Sequence, residues 1–96
     1  MSTSEKLVPR HNVADCRYEL EIDGHLAVAE YELQGTRQHF NHTYVPAELR
    51  GRGLADILVK QALDDARAAG RQVVPRCSFV AKYIARHQEY TPLLAI

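Results

Sequence analysis

The chain has no surplus of either charge. Twelve Lys and Arg residues balance twelve Asp and Glu over 96 residues, so composition offers no electrostatic case for nucleic acid or for a membrane surface. No apolar run approaches the roughly 20 residues that span a bilayer. The N-terminal stretch MSTSEKLVPRHN lacks the apolar centre of a signal peptide, so a cytoplasmic protein is expected. Cysteine is scarce: Cys16 and Cys77 lie far apart with no C-x-x-C spacing, which argues against a zinc site or a disulfide framework and for two free thiols. Repeats, linkers and low-complexity stretches are missing as well. What remains, 46% hydrophobic and 25% charged, is the composition of one globular domain with a modest core, residues 1–96, expected as a monomer. The LVPR at residues 7–10 looks like a protease tag, but His11 and Asn12 do not continue one, and it is read as native.

Period-two alternation begins at Arg17, where Tyr18, Leu20 and Ile22 interleave with Arg17, Glu19 and Glu21. The Asp23-Gly24 pair is a hairpin signal. A second strand follows from His25 to about Leu33, and its apolar phase changes between Leu26/Val28 and Tyr31/Leu33, which predicts a β-bulge near Ala29 and Glu30. Residues 34–36 turn the chain again, and residues 37–45 make a third strand closed by Pro46, giving an antiparallel meander of three strands. Leu54, Leu58, Ala62 and Ala66 then fall on one helical line flanked by Ala55, Val59 and Leu63, with Gly70 as the C-terminal stop. Residues 71–75 read as a fourth strand, parallel to an earlier one because a helix separates them. Ser78 is placed to cap a last helix in which Val80, Tyr83, Ile84 and His87 share a face, and residues 88–96 form a short tail. The fold class is α+β.

The join between Val45 and the long helix, VPAELRGRGLA, has no Ser, Thr, Asp or Asn immediately before the helix. Its first N–H groups therefore point outward at the positive end of the helix dipole, which makes an anion site, and Arg50 and Arg52 add charge while Gly51 and Gly53 allow close approach. A plain turn capped by water or by Glu48 is the alternative. The spacing fits neither a Walker loop nor a Rossmann glycine fingerprint.

Arg50, Gly53 and Ala55 match R-x-x-G-x-A, the pyrophosphate loop of the GNAT superfamily of acyl-CoA-dependent N-acetyltransferases. Together with RYELEIDG, HTYVPAELRGRGLA, ALDDAR and VVPRCSFVAKYIARHQEY, the chain resembles the minimal single-domain GNAT-like subfamily over a core of about residues 13–90. The resemblance implies an acetyl-CoA-dependent N-acetyltransferase acting on an amine, small molecule or protein. Coenzyme A would lie where the third and fourth strands splay apart. Its pyrophosphate would meet Arg50, Gly51, Arg52, Gly53, Leu54 and Ala55, and its pantetheine would pair with backbone near Tyr44 and Val45. No metal is implied. Ordinary members carry further N-terminal helices that wall the acceptor site, so an open acceptor pocket is expected, and a coenzyme A-binding module without transfer is the competing reading.

Acetyl transfer needs a base for the ammonium proton and donors for the oxyanion. His39 lies near the position where the resemblance puts a base, and His42 is a second candidate; on a regular strand, three residues apart, the two would face opposite ways. Each could equally be a packed or surface histidine. Cys77, just ahead of the last helix, sits where a dipole favours thiolate, and the resemblance brings it near the reactive end of coenzyme A, as catalytic thiol or as a buried inert one. Tyr83 is the candidate acid for the departing thiolate, with core packing as its alternative, while Tyr44 replaces a position where subfamily members carry Glu.

Overall fold

A computed structural model describes residues 7–95. Residues 1–6 and 96, which the single-domain reading also includes, lie outside the described residues. Five strands form one sheet in the order β1 (Arg10–Asn12), β2 (Arg17–Ile22), β3 (His25–Gln34), β4 (Arg37–Tyr44) and β5 (Gln72–Pro75). The first four are antiparallel neighbours, and β5 lies parallel to β4 after a crossover through helix α1 (Leu54–Ala68). Helix α2 (Ser78–Arg86) follows β5. The hairpins and both helices fall where period and turn residues put them. β1 was not expected: three polar residues, RHN, carry no alternation, and their strand exists because β2 offers an edge to pair with. The meander therefore has four strands, and the strand at residues 71–75 is the fifth.

One face of the sheet makes the core. Tyr18, Leu20, Ala27, Ala29, Tyr31 and Phe40 join the apolar stripe of α1 and Val80, Tyr83 and Ile84 of α2 in a single cluster. A bulge is found beside Glu30, the level expected, but Ala27, Ala29 and Tyr31 stay on that face without interruption, so β3 keeps its phase and does not hold the extra residue. The register slips between Glu30 and Tyr31 because β4 holds the extra residue: Glu30 pairs with His42, Tyr31 with Phe40, and Asn41 is left over. The apparent phase switch came from Leu26 and Val28, which are apolar but lie on the face opposite Ala27, Ala29 and Tyr31.

The far edge of β5 is closed by the tail. Residues Gln88–Leu93 form a 3₁₀ turn, Leu94 bridges Val73, and Ala95 N–H donates to the Val73 carbonyl at 2.9 Å. The buried Tyr90 anchors the turn, its hydroxyl donating to Asp64 at 2.6 Å while the Arg67 guanidinium lies 4.9 Å from its ring centre. Covering an edge strand removes the unpaired amide row that would otherwise recruit another chain. Among the described residues no helix is long and apolar enough to cross a membrane.

Candidate functional site

β4 and β5 pair from Arg37 with Gln72 to Phe40 with Pro75, and one more bond, Cys77 N–H to the Phe40 carbonyl at 2.8 Å, holds them before they part. Beyond that point β4 continues through Thr43 and Tyr44, and the other arm turns into α2. The chain therefore forks at Cys77. The bulge decides what faces the fork. Because Asn41 is extra, Thr43 pairs with Ala29 on the helix side of the sheet, and His42, opposite Glu30, shares the helix-free side with His39, opposite Glu32. The expectation that the two histidines face opposite ways is corrected: it holds for a regular strand, and this strand has one residue too many.

On the helix side, Cys77 Sγ lies 3.5 Å from Thr43 Oγ1. Cys77 itself, with extended φ and ψ of −79° and 129°, is the N-cap of α2, and Ser78 is the first helical residue, one position on from the cap expected there. Burial pushes the thiol pKa up. Hydrogen bonds to the sulfur from the Thr43 hydroxyl and from the backbone of Val80, Phe79 and Thr43 pull it down further, leaving the thiol more acidic than an ordinary cysteine. Cys16, by contrast, is a half-buried turn residue at φ 53°.

The start of α1 is uncapped. Gly53 is its N-cap in the left-handed region at φ 72°, no side chain caps the helix, and the Ile57 N–H to Gly53 carbonyl bond at 3.3 Å closes the first turn. Gly51 is also left-handed at φ 84°. Glu48, the alternative cap, instead lies 3.7 Å from His25. The N–H groups at this terminus open onto a cleft of about 300 Å³ lined by Val45, Gly51, Gly53 and Ala55 on one side and by Phe79 and Arg86 of α2 on the other. Arg50 and Leu54 also line it, and Arg50 Nε donates to the Val45 carbonyl at 3.0 Å. Arg52 is exposed beside it. Phe79, two positions after Cys77, is the residue of the first turn of α2 that lines the cleft; Cys77 and Thr43 at the fork do not line it.

These features, a parallel strand pair that splays, a glycine-bounded helix terminus and a cleft joining the two, are those of a family described as GCN5-related N-acetyl-transferase, whose model matches residues 17–93. The chain belongs to this family. Its fold is also similar to the solution structure of a GCN5-like protein of Staphylococcus aureus, provisionally assigned as an N-acetyltransferase, with a TM-score of 0.74 and 22% identity over 93% of this chain and 88% of that one. Family membership makes this chain an acyltransferase by chemistry.

The other candidates separate. His39 is 6% exposed, and Arg76 Nε donates to its Nδ1 at 3.1 Å. That bond fixes the hydrogen on Nε2, which is buried without a partner among the described residues. The lone pair a base needs is thus already occupied. His42 is exposed on the same face, its ring stacked on that of Tyr44 with centroids 6.3 Å apart. Tyr83 is 4% exposed, stacks on His87 at 4.0 Å, and has its hydroxyl pKa raised by burial, the signature of packing between α1 and the tail. Thr43, Phe79, Arg76 and Arg86 were missed by the sequence reading. For Thr43 the signal was hidden by the bulge; for Phe79 and Arg86 their own spacing of seven residues, which puts them on one helical face, was available and unused.

Proposed function

We propose that this protein is an acetyl-CoA-dependent N-acetyltransferase that binds the donor's pyrophosphate on residues 50–55, its pantetheine beside Tyr44 and Val45, and its thioester end beside Cys77. The observation that carries this reading is the uncapped start of α1, with Gly51 and Gly53 both left-handed, opening onto a cleft whose other wall is Phe79 and Arg86 of α2, the helix that Cys77 caps. Free N–H groups at a helix start favour phosphate, and glycine lets it come close. Bound acetyl-CoA supplies the acyl group as a thioester.

Transfer breaks one C–S bond and forms one C–N bond, and the amine's proton must leave. His42, exposed at the fork and with no hydrogen-bond partner among the described residues, is the histidine whose lone pair is available for that proton. The Cys77 thiolate can take the acyl group before the amine does, or line the site while the amine attacks directly. The acceptor is an amine that reaches an open fork, small molecule or protein.

The test is incubation of the full chain with acetyl-CoA and a panel of amines, following thiol release and then mapping acetyl groups by peptide mass. Turnover with any amine is expected. A hydroxylamine-sensitive acetyl group on Cys77, with turnover lost in Cys77→Ala and coenzyme A binding kept, selects the two-step route; retained turnover selects direct attack. Coenzyme A binding with no transfer to any amine or to Cys77 would make the protein a binding module, and no binding at all would overturn the proposal.

A further inference from the structure

The two arginines lining the cleft are in different situations. Arg50 is drawn back by its own strand end, Nε on the Val45 carbonyl. Arg86 comes from the opposite wall, in the last turn of α2, where a cation also favours the helix dipole. Elsewhere in the fold, four arginines close on protein groups, Arg10 and Arg17 on Glu19, Arg67 on the Glu89 carbonyl and Arg76 on His39, while Arg37, Arg52 and Arg71 have no such partner among the described residues and do not line the cleft. Arg86 has no ion-pair partner among the described residues, although Asp56 lines the same cleft.

Its place along the helix adds a direction. Cys77 caps the N-terminus of α2, Phe79 lines the cleft in the first turn, and Arg86 lines it two turns later on the same helical face. From Cys77 to Arg86 the rise is about 14 Å. Within the cleft, a ligand on this wall meets the Phe79 ring toward the N-terminal end of α2 and the Arg86 cation at the other end, across from Gly51, Gly53 and Ala55 at the start of α1. A cation across from an uncapped helix start suits a phosphate held between them.

We propose that Arg86 contacts a phosphate of the donor, so that α2 selects phosphorylated pantetheine thioesters over unphosphorylated ones. This rests on the donor reading above. The phosphate belongs either to the pyrophosphate or to the ribose 3′ position, and binding assays separate them.

The experiment titrates the full chain, Arg86→Ala and Arg86→Lys with coenzyme A, 3′-dephospho-coenzyme A and pantetheine at two salt concentrations. Arg86→Ala should weaken coenzyme A binding about five- to tenfold, the range for one partly exposed charged contact. It should also flatten the salt dependence and leave pantetheine unaffected, and Arg86→Lys should recover part of the loss. An equal loss with coenzyme A and its dephospho form assigns the pyrophosphate, and a loss with coenzyme A alone assigns the 3′-phosphate. The proposal is overturned by an Arg86→Ala protein that binds coenzyme A as wild type does, or that loses affinity with an unchanged salt slope. Wild-type protein that binds none of the three compounds removes the donor reading, and Arg86's role with it.

Discussion

At the β1–β2 end of the sheet, polar groups are closed upon one another. Glu19, 3% exposed, is met by Arg10, Arg17 and Asn12; the Tyr18 hydroxyl donates to Asp65 at 2.7 Å; His11 bonds the Tyr31 hydroxyl at 2.5 Å and stacks on Tyr18 at 4.1 Å. At the fork the reverse holds: the start of α1 has no side-chain cap, Arg86 has no ion-pair partner among the described residues, and the thiol is stabilised toward its charged form. The same chain, rich in charged residues throughout, satisfies one end and leaves the other open. Closed networks hold the edge strand β1 in place, while open donors and cations are useful to the extent that something else arrives to complete them.

The sharpest way to break this comparison is to give the open end a side chain. Gly53→Ala places a methyl in open space, since no atom lies within 4 Å of the added Cβ, but in a left-handed backbone. The strain costs about 1–2 kcal/mol. Gly24→Ala, at φ 78° in the β2–β3 turn and equally unobstructed, carries the same strain far from the cleft. Both variants should melt lower, by roughly 4–8 °C per kcal/mol for a domain of this size. Gly53→Ala should in addition lose coenzyme A affinity by tenfold or more in calorimetry, because the methyl stands where phosphate must approach. Equal binding by the two variants would mean that the α1 terminus is open for no purpose.

The closed end answers to acid. Hydrogen bonds first from Arg10, then from Asn12 and Arg17, outweigh burial and hold the Glu19 carboxyl at about 2, below its ordinary 4.5. A folded value below the unfolded one means that this stability is complete above about pH 4.5 and is lost as pH falls toward 2. Arg10 is 75% exposed, so solvent discounts the network to about 1–2 kcal/mol. Glu19→Gln should lower stability by that amount at neutral pH in urea melts, and the gap from wild type should shrink between pH 4.5 and 2. A gap that stays constant with pH would show that Glu19 acts through packing alone.

What could be read beforehand divides along the same line. The long helix, its glycine-bounded entry and the thiol ahead of α2 were legible because each is a local signal: spacing, left-handed glycines, a helix start. The bulge was legible in its level but not in its strand, since apolar Leu26 and Val28 on the far face imitated a phase switch in β3 and only pairing with β4 shows that Asn41 is the surplus residue. That single residue determines which side Thr43 and His42 face. β1 was invisible for a related reason, because RHN becomes a strand through Glu19 and the β2 edge, neither of which is local to it. Arg86 drew no reading from the sequence, because its place opposite the start of α1 depends on how α2 packs across the cleft.

A smaller effect is expected where the bulge meets the thiol. Thr43→Val keeps the shape of the side chain and removes its hydrogen bond to Cys77, so burial should then act with less opposition and raise the thiol pKa. Alkylation of Cys77 at mildly acidic pH should slow a few-fold, on the order of 1 kcal/mol of lost thiolate stabilisation, with Cys16 unchanged as the internal reference. If the rate holds, the α2 backbone amides suffice, and the bulge orients Thr43 for some purpose other than the sulfur.

The smallest effect tests whether the open end is tuned rather than merely empty. Asp56, third residue of α1, is an acid in the first helical turn, a position that favours the dipole, yet it lines the cleft that the donor phosphates are proposed to enter. Its charge stabilises the free protein and opposes the ligand. Asp56→Asn should therefore cost about 0.3–1 kcal/mol of stability, and it should tighten coenzyme A binding by roughly two- to fivefold at low salt, a gain that fades as salt screens the repulsion. A loss of affinity would instead make Asp56 a ligand contact through its carboxylate, aimed at hydroxyl or amine groups of the donor. An affinity that does not move in either direction, with the stability loss present, would place the bound phosphates beyond the reach of this helix terminus and turn the uncapped start of α1 back into an ordinary turn.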